Sequence, residues 1–167
     1  AESELGSIMF DAGTDRDAAL AMHKNALALS ENPIGGMANG SAWADIGWCA
    51  MNLGDLELAH NLFERALSHP SFFRLVMQPR NLLGLARIAQ LRGDLDAAQG
   101  YVDQARRIAD NATIRPYQAT GALAAGYLAA ARAEHARAVE LFADAEMRAA
   151  TMQLRPTILQ ARLGAAA

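Results

Sequence analysis

The tripeptide Gly54-Asp55-Leu56 recurs as Gly93-Asp94-Leu95, so that position 54 maps onto position 93. Alanines follow each copy at fixed offsets: Ala59 and Ala66 after the first, Ala98 and Ala105 after the second. A third copy has no Gly-Asp turn and reads Ala133-Glu134-His135, with Ala138 and Ala145 in phase once Gly93 is aligned with Ala133. Upstream, Ala19, Ala26, Leu27, Leu29 and Pro33 form a partial fourth copy. A pattern that recurs at a fixed period over most of a chain is the mark of a repeat architecture, in which each unit buries its apolar face against its neighbours.

Each unit reads as two helices joined by a tight turn. In the clearest one, the first helix is expected over about Ala42 to Leu53 and the second over about Leu56 to Ser68. Gly54 suits the position just past a helix end, where positive φ is common and glycine adopts it without Cβ strain. Asp55 suits the N-cap of the following helix, its carboxylate accepting free backbone N–H groups. Ala59 and Ala66 are seven apart and share a face on which helices can approach closely, with Leu62, Phe63 and Leu67 filling the space beside them. Pro79, Pro116 and Pro156 are expected at first helical positions, where the missing N–H costs no hydrogen bond. The segment from Ser71 to Met77, between Pro70 and Pro79, is read as an extra turn of helix at the joint between units, the alternative being an exposed apolar patch for a partner or the rest of a parent protein.

Composition agrees. Of 167 residues, 38 are alanine, the strongest helix former, and an all-β chain is excluded by the scarcity of β-branched and aromatic residues. A net charge of −3 supplies no general field for nucleic acid or an anionic membrane. No apolar run is long enough to span a bilayer, so a cytoplasmic location is expected. Cys49 is the single cysteine, which rules out an internal disulfide and a thiolate zinc cluster, and it is read as a small buried hydrophobe. Lys24 is the only lysine against many arginines, a bias expected of a GC-rich bacterial genome. The chain opens without Met and closes inside an apparent helix, so it is read as a segment of a larger protein. Residues 1–167 are expected to form one repeat domain, with units at about 2–39, 40–78, 79–118 and 119–150 and a terminal helix over 151–167.

No catalytic constellation emerges. There is no phosphate-binding glycine loop, dinucleotide fingerprint or nucleophile elbow. His23, His60, His69 and His135 fall at unrelated phases, without the clustering that a metal requires. The pairs Asp15/Asp17 and Asp94/Asp96 stand where helices begin, where negative charge caps the helix and complements its dipole. No enzyme activity, metal or cofactor is expected.

Charge is uneven along the chain. Arg80, Arg87, Arg92, Arg106, Arg107 and Arg115 face Asp94, Asp96, Asp103 and Asp110, whereas the stretch before Ser41 is acidic on balance. Arg80 and Arg87 are seven apart and so lie on one helix face, suited to an acidic partner.

The phased residues resemble the tetratricopeptide repeat family. One unit matches at Trp43, Ile46-Gly47, Ala50, Gly54-Asp55, Ala59, Phe63, Ala66 and Pro70. The next keeps Leu82, Leu85-Ala86, Ala89, Gly93-Asp94, Ala98 and Ala105, and the third keeps Gly126, Ala129, Ala138, Phe142 and Ala145. The period of about 39 to 40 residues exceeds the family's usual length of about 34 residues. In this it is similar to the long units of large bacterial regulators, including transcription activators of the maltose-activator type.

The resemblance implies an all-α, right-handed α-solenoid whose first helices line a concave groove. Carried over in phase, the groove positions are Ala44, Trp48, Met51 and Asn52, then Leu83, Arg87 and Gln90, then Leu123, Tyr127 and Ala130. Trp48, Arg87 and Tyr127 are equivalent in three successive units, and aromatic and arginine side chains are favoured interface anchors. The Lys/Asn set with which some family members clamp a C-terminal carboxylate is absent. The expected partner-binding residues are therefore Trp48, Asn52, Arg80, Arg87 and Tyr127. The expected role is an interaction scaffold or sensor in signalling or transcription regulation, taking a peptide, helix or neighbouring domain, acidic in character. The alternative is a regulatory domain that binds a small effector between repeats.

Overall fold

A computed structural model describes residues 39–68 and 74–166, together with five helical positions between 18 and 28. Among the described residues all regular structure is helical: α1 (Asn39–Leu53), α2 (Leu56–Ser68), α3 (Arg74–Leu91), α4 (Leu95–Asn111), α5 (Arg115–Ala131), α6 (His135–Ala150) and α7 (Arg155–Ala166). The chain divides into two compact units, residues 1–77 and 78–167, and α3 spans the boundary. Most of the expected 2–39 unit, together with Asp15, Asp17, His23, His69, Pro70 and residues 71–73, lies outside the described residues.

In the first unit, α1 and α2 form the expected helix pair. Gly54 takes φ +88° and ends α1. Asp55 then donates its backbone N–H to the Ala50 carbonyl at 2.9 Å, and its Oδ1 accepts from Leu58 N at 3.0 Å. Trp43, Ala44, Ile46, Leu62 and Ala66 make the core of the pair, with Leu58 against it. The guanidinium of Arg65 lies 4.5 Å from the centre of the Trp43 ring, a cation–π contact. Ala59 is fully buried, as its small size at a close-approach position requires. Cys49 is buried too.

In the second unit, neighbouring helices pack in sequence, α4 on α5, α5 on α6 and α6 on α7, and α5 also touches α7. The same turn joins each pair. Gly93, Thr113, Ala133 and Gln153, evenly spaced along the chain, all have positive φ, at 81°, 53°, 60° and 56°. In each case the following residue donates its N–H to an alanine carbonyl five positions back, at Ala89, Ala109, Ala129 and Ala149, over 2.8–3.0 Å. This is the hydrogen bond that closes a Schellman-type helix end. Within residues 78–167 one turn geometry is thus used four times, between successive helices. Asp94 caps α4 by accepting from Ala97 N at 3.0 Å, whereas Glu134 at the same position before α6 makes no side-chain cap bond and accepts instead from Arg137 Nη1 at 3.2 Å.

Packing follows the repeat. Phe63 lies where a side chain at Gly47 would go, since a Cβ there would meet its ring at 2.9 Å. Phe142 stands to Gly126 in the same way, at 2.7 Å, and its other side faces Gly164 at 2.6 Å. At the corresponding positions in the intervening unit stand Ala86 and Val102, both buried. The larger small residue coincides with the smaller large one. Ala98, Ala105, Ala138 and Ala145 are buried, as their phase requires.

The prolines divide. Pro116 and Pro156 lie in the first turns of α5 and α7, as expected. Pro79 does not start a helix: it lies inside α3, which begins five residues earlier, and its ring is fully buried. The helical residues Arg74 to Met77 agree with an extra turn before the third unit.

Candidate functional site

Within the second unit, a polar line runs across the helices α3, α5 and α7. Arg87 is exposed on α3 and donates from Nη1 to Gln90 Oε1 at 2.9 Å. Gln90, one turn further on, is half-buried and donates from Nε2 to the Tyr127 carbonyl on α5 at 3.4 Å. The Tyr127 hydroxyl in turn donates to the Gln160 carbonyl on α7 at 3.2 Å. The Tyr127 ring stands edge-on to Phe142, with centroids 5.2 Å apart and an interplanar angle of 72°. Phe142 is held between α5 and α7 because Gly126 and Gly164 leave room for it.

Position 87 and position 127 are equivalent in the repeat, yet the two side chains do different things. Tyr127 is half-buried and committed to its neighbours. Arg87 is exposed, and no carboxylate among the described residues is within ion-pair distance of it. Other arginines of the second unit are engaged. Arg132 contacts Asp96 Oδ1 at 2.6 Å and the Leu95 carbonyl at 3.1 Å, Arg148 chelates Asp144 with both oxygens at 2.8 Å, and Arg162 meets Glu146 at 2.7 Å. The stem of Arg106 lies across Gly121, where a Cβ would meet its Cγ at 2.8 Å. Arg80 is half-buried on α3, two turns before the exposed Arg87.

In the first unit, Trp48 mirrors Tyr127: its ring is edge-on to Phe63, at 5.7 Å and 70°. It is half-buried, and its Nε1 is buried without a hydrogen-bond partner among the described residues. Asn52 is exposed near the end of α1. Of the remaining groove positions, Ala44, Met51, Leu83 and Leu123 are buried in the helix packing, while Ala130 is exposed. The phase that brings Trp48, Arg87 and Tyr127 into register therefore also selects residues that serve as core.

Gln90 is the residue that sequence reading placed in the groove without giving it a role. Its bond to α5 depends on where the Tyr127 carbonyl lies, which no spacing in the sequence reveals. No group of three or more His, Cys, Asp or Glu able to hold a metal occurs among the described residues. No described helix is long and apolar enough to cross a membrane. No family model matches the chain, and no curated protein matches it.

Proposed function

We propose that this chain is a right-handed α-solenoid of tetratricopeptide-like units that serves as a protein–protein interaction module. It binds a peptide, helix or neighbouring domain on the face of its first helices, as part of a cytoplasmic bacterial regulator. The support for the repeat is physical: one turn geometry recurring at 93, 113, 133 and 153, and Gly/Phe pairs that recur in phase. Unit length and the arginine-for-lysine bias support the setting.

The observation on which the binding role rests is the polar line Arg87–Gln90–Tyr127–Gln160. It ties the first helices α3, α5 and α7 edge to edge, so that their outward side chains share one surface. Stacked repeats act through such extended surfaces, because no single unit encloses a reaction chamber. The face presents a cation with open donors beside a half-buried aromatic ring, residue types favoured as interface anchors.

Panning a library of random linear peptides on the full chain tests this reading. Enrichment of a common motif whose binding is lost on Tyr127→Ala, with helix content retained, is the expected result. Failure to enrich any motif contradicts it.

A further inference from the structure

We propose that Arg87 reads a carboxylate side chain of the bound segment and that Gln90 is its positioning residue. The inference rests on the interaction-module reading and names the chemistry of the partner, an Asp or Glu in a peptide.

Gln90 is bonded on both sides of its amide. The Tyr127 carbonyl can only accept, so Nε2 must face α5 and Oε1 must face Arg87. The amide therefore cannot turn over without losing both bonds. Arg87 is held by a neutral oxygen through one of its five N–H groups, which orients the guanidinium and leaves its charge whole. A glutamate at position 90 would hold the same guanidinium and neutralise it. Elsewhere in this unit Arg132 is held by Asp96, Arg148 by Asp144 and Arg162 by Glu146, each a carboxylate. Arg87 is thus an oriented cation in want of an anion. The planar fork matches a carboxylate, and ordering it beforehand removes part of the entropy lost on binding.

The test uses the full chain in four forms: wild type, Arg87→Glu, Arg87→Gln and Gln90→Glu. Random linear peptides panned on the wild type should share Asp or Glu at one motif position. Panned on Arg87→Glu, the same library should lose that preference or replace it with Lys or Arg. A synthetic peptide from the wild-type pool should bind Arg87→Gln and Gln90→Glu about tenfold more weakly at low salt, while circular dichroism and the melting temperature stay near wild type. A peptide with Asn or Gln in place of the acid should bind wild type and Gln90→Glu alike, a result that a purely structural role for Gln90 does not produce. A wild-type motif without an acidic position, or an acidic preference that persists on Arg87→Glu, overturns the inference and leaves the interaction reading standing. No motif on the wild type overturns both.

Discussion

The ring of Phe142 occupies the space that a side chain at position 126 would need, with a Cβ on Gly126 falling 2.7 Å from the ring carbons. Phe63 and Gly47 repeat the relationship, and Ala86 with Val102 stand in phase between them. Where the small residue gains a methyl group, its counterpart across the repeat is smaller than phenylalanine. This gives a sharp mutational test, because alanine for glycine in a helix normally gains about 1 kcal/mol. In the wild type, Gly126→Ala should instead cost about 1–2 kcal/mol by overpacking. In a Phe142→Val background, itself destabilised by the cavity it creates, the same Gly126→Ala change should become stabilising. Urea denaturation of the four proteins of this cycle measures the change of sign. A cost that is equal in both backgrounds would contradict the assigned contact.

Ala98 is fully buried where α4 is approached closely, and Ala59 holds the equivalent place in the first unit. Replacing either with leucine should cost about 1–3 kcal/mol, because added methylenes overpack a fully buried position. Thermal melts of Ala59→Leu and Ala98→Leu that match the wild type would contradict the repeat register.

Ala133 takes φ +60° in the turn where two of its counterparts, Gly54 and Gly93, are glycine. An L-residue with a Cβ pays about 1–2 kcal/mol for this conformation, partly offset by the greater chain entropy of unfolded glycine. Ala133→Gly should therefore stabilise the chain by about 0.5–1 kcal/mol in urea denaturation. A loss of stability would show that the alanine methyl group contributes packing that outweighs its strain.

Asp94 and Asp96 stand two residues apart at the start of α4 and should differ in weight. Asp94→Ala removes the N-cap to Ala97 N and should cost about 1 kcal/mol. Asp96 pairs with Arg132 through a carboxylate that is almost wholly exposed, so Asp96→Ala should cost no more than about 0.5 kcal/mol and be insensitive above moderate salt. Equal costs, measured by denaturation at low and high salt, would contradict the division of roles.

What could be read from the sequence depended on whether a residue type has few uses. Gly54-Asp55 and Gly93-Asp94 were legible because positive φ favours glycine and an exposed N-cap favours aspartate. Thr113, Ala133 and Gln153 adopt the same backbone with no such sign, since the packing of the flanking helices imposes it. Their only trace is alanine at 109, 129 and 149, inconspicuous in a chain with 38 alanines. Pro79 misled because proline is normally costly inside a helix, whereas here its buried ring sits among the core residues of α3. For the site, phase alone aligned Arg87 with Tyr127. It could not separate Tyr127, which packs on Phe142, from Arg87, which is exposed, nor show that Gln90 bridges two helices.

The central claim is that the face of the first helices binds a protein segment. It is tested most directly by amide chemical-shift mapping of the full chain, titrated with a peptide selected on it. Shifts should concentrate on α3 and α5 around Arg87, Gln90 and Tyr127 and on α7 around Gln160, with α4 and α6 little changed. Shifts concentrated on α4 and α6, with Arg87 and Tyr127 unmoved at saturation, would contradict it.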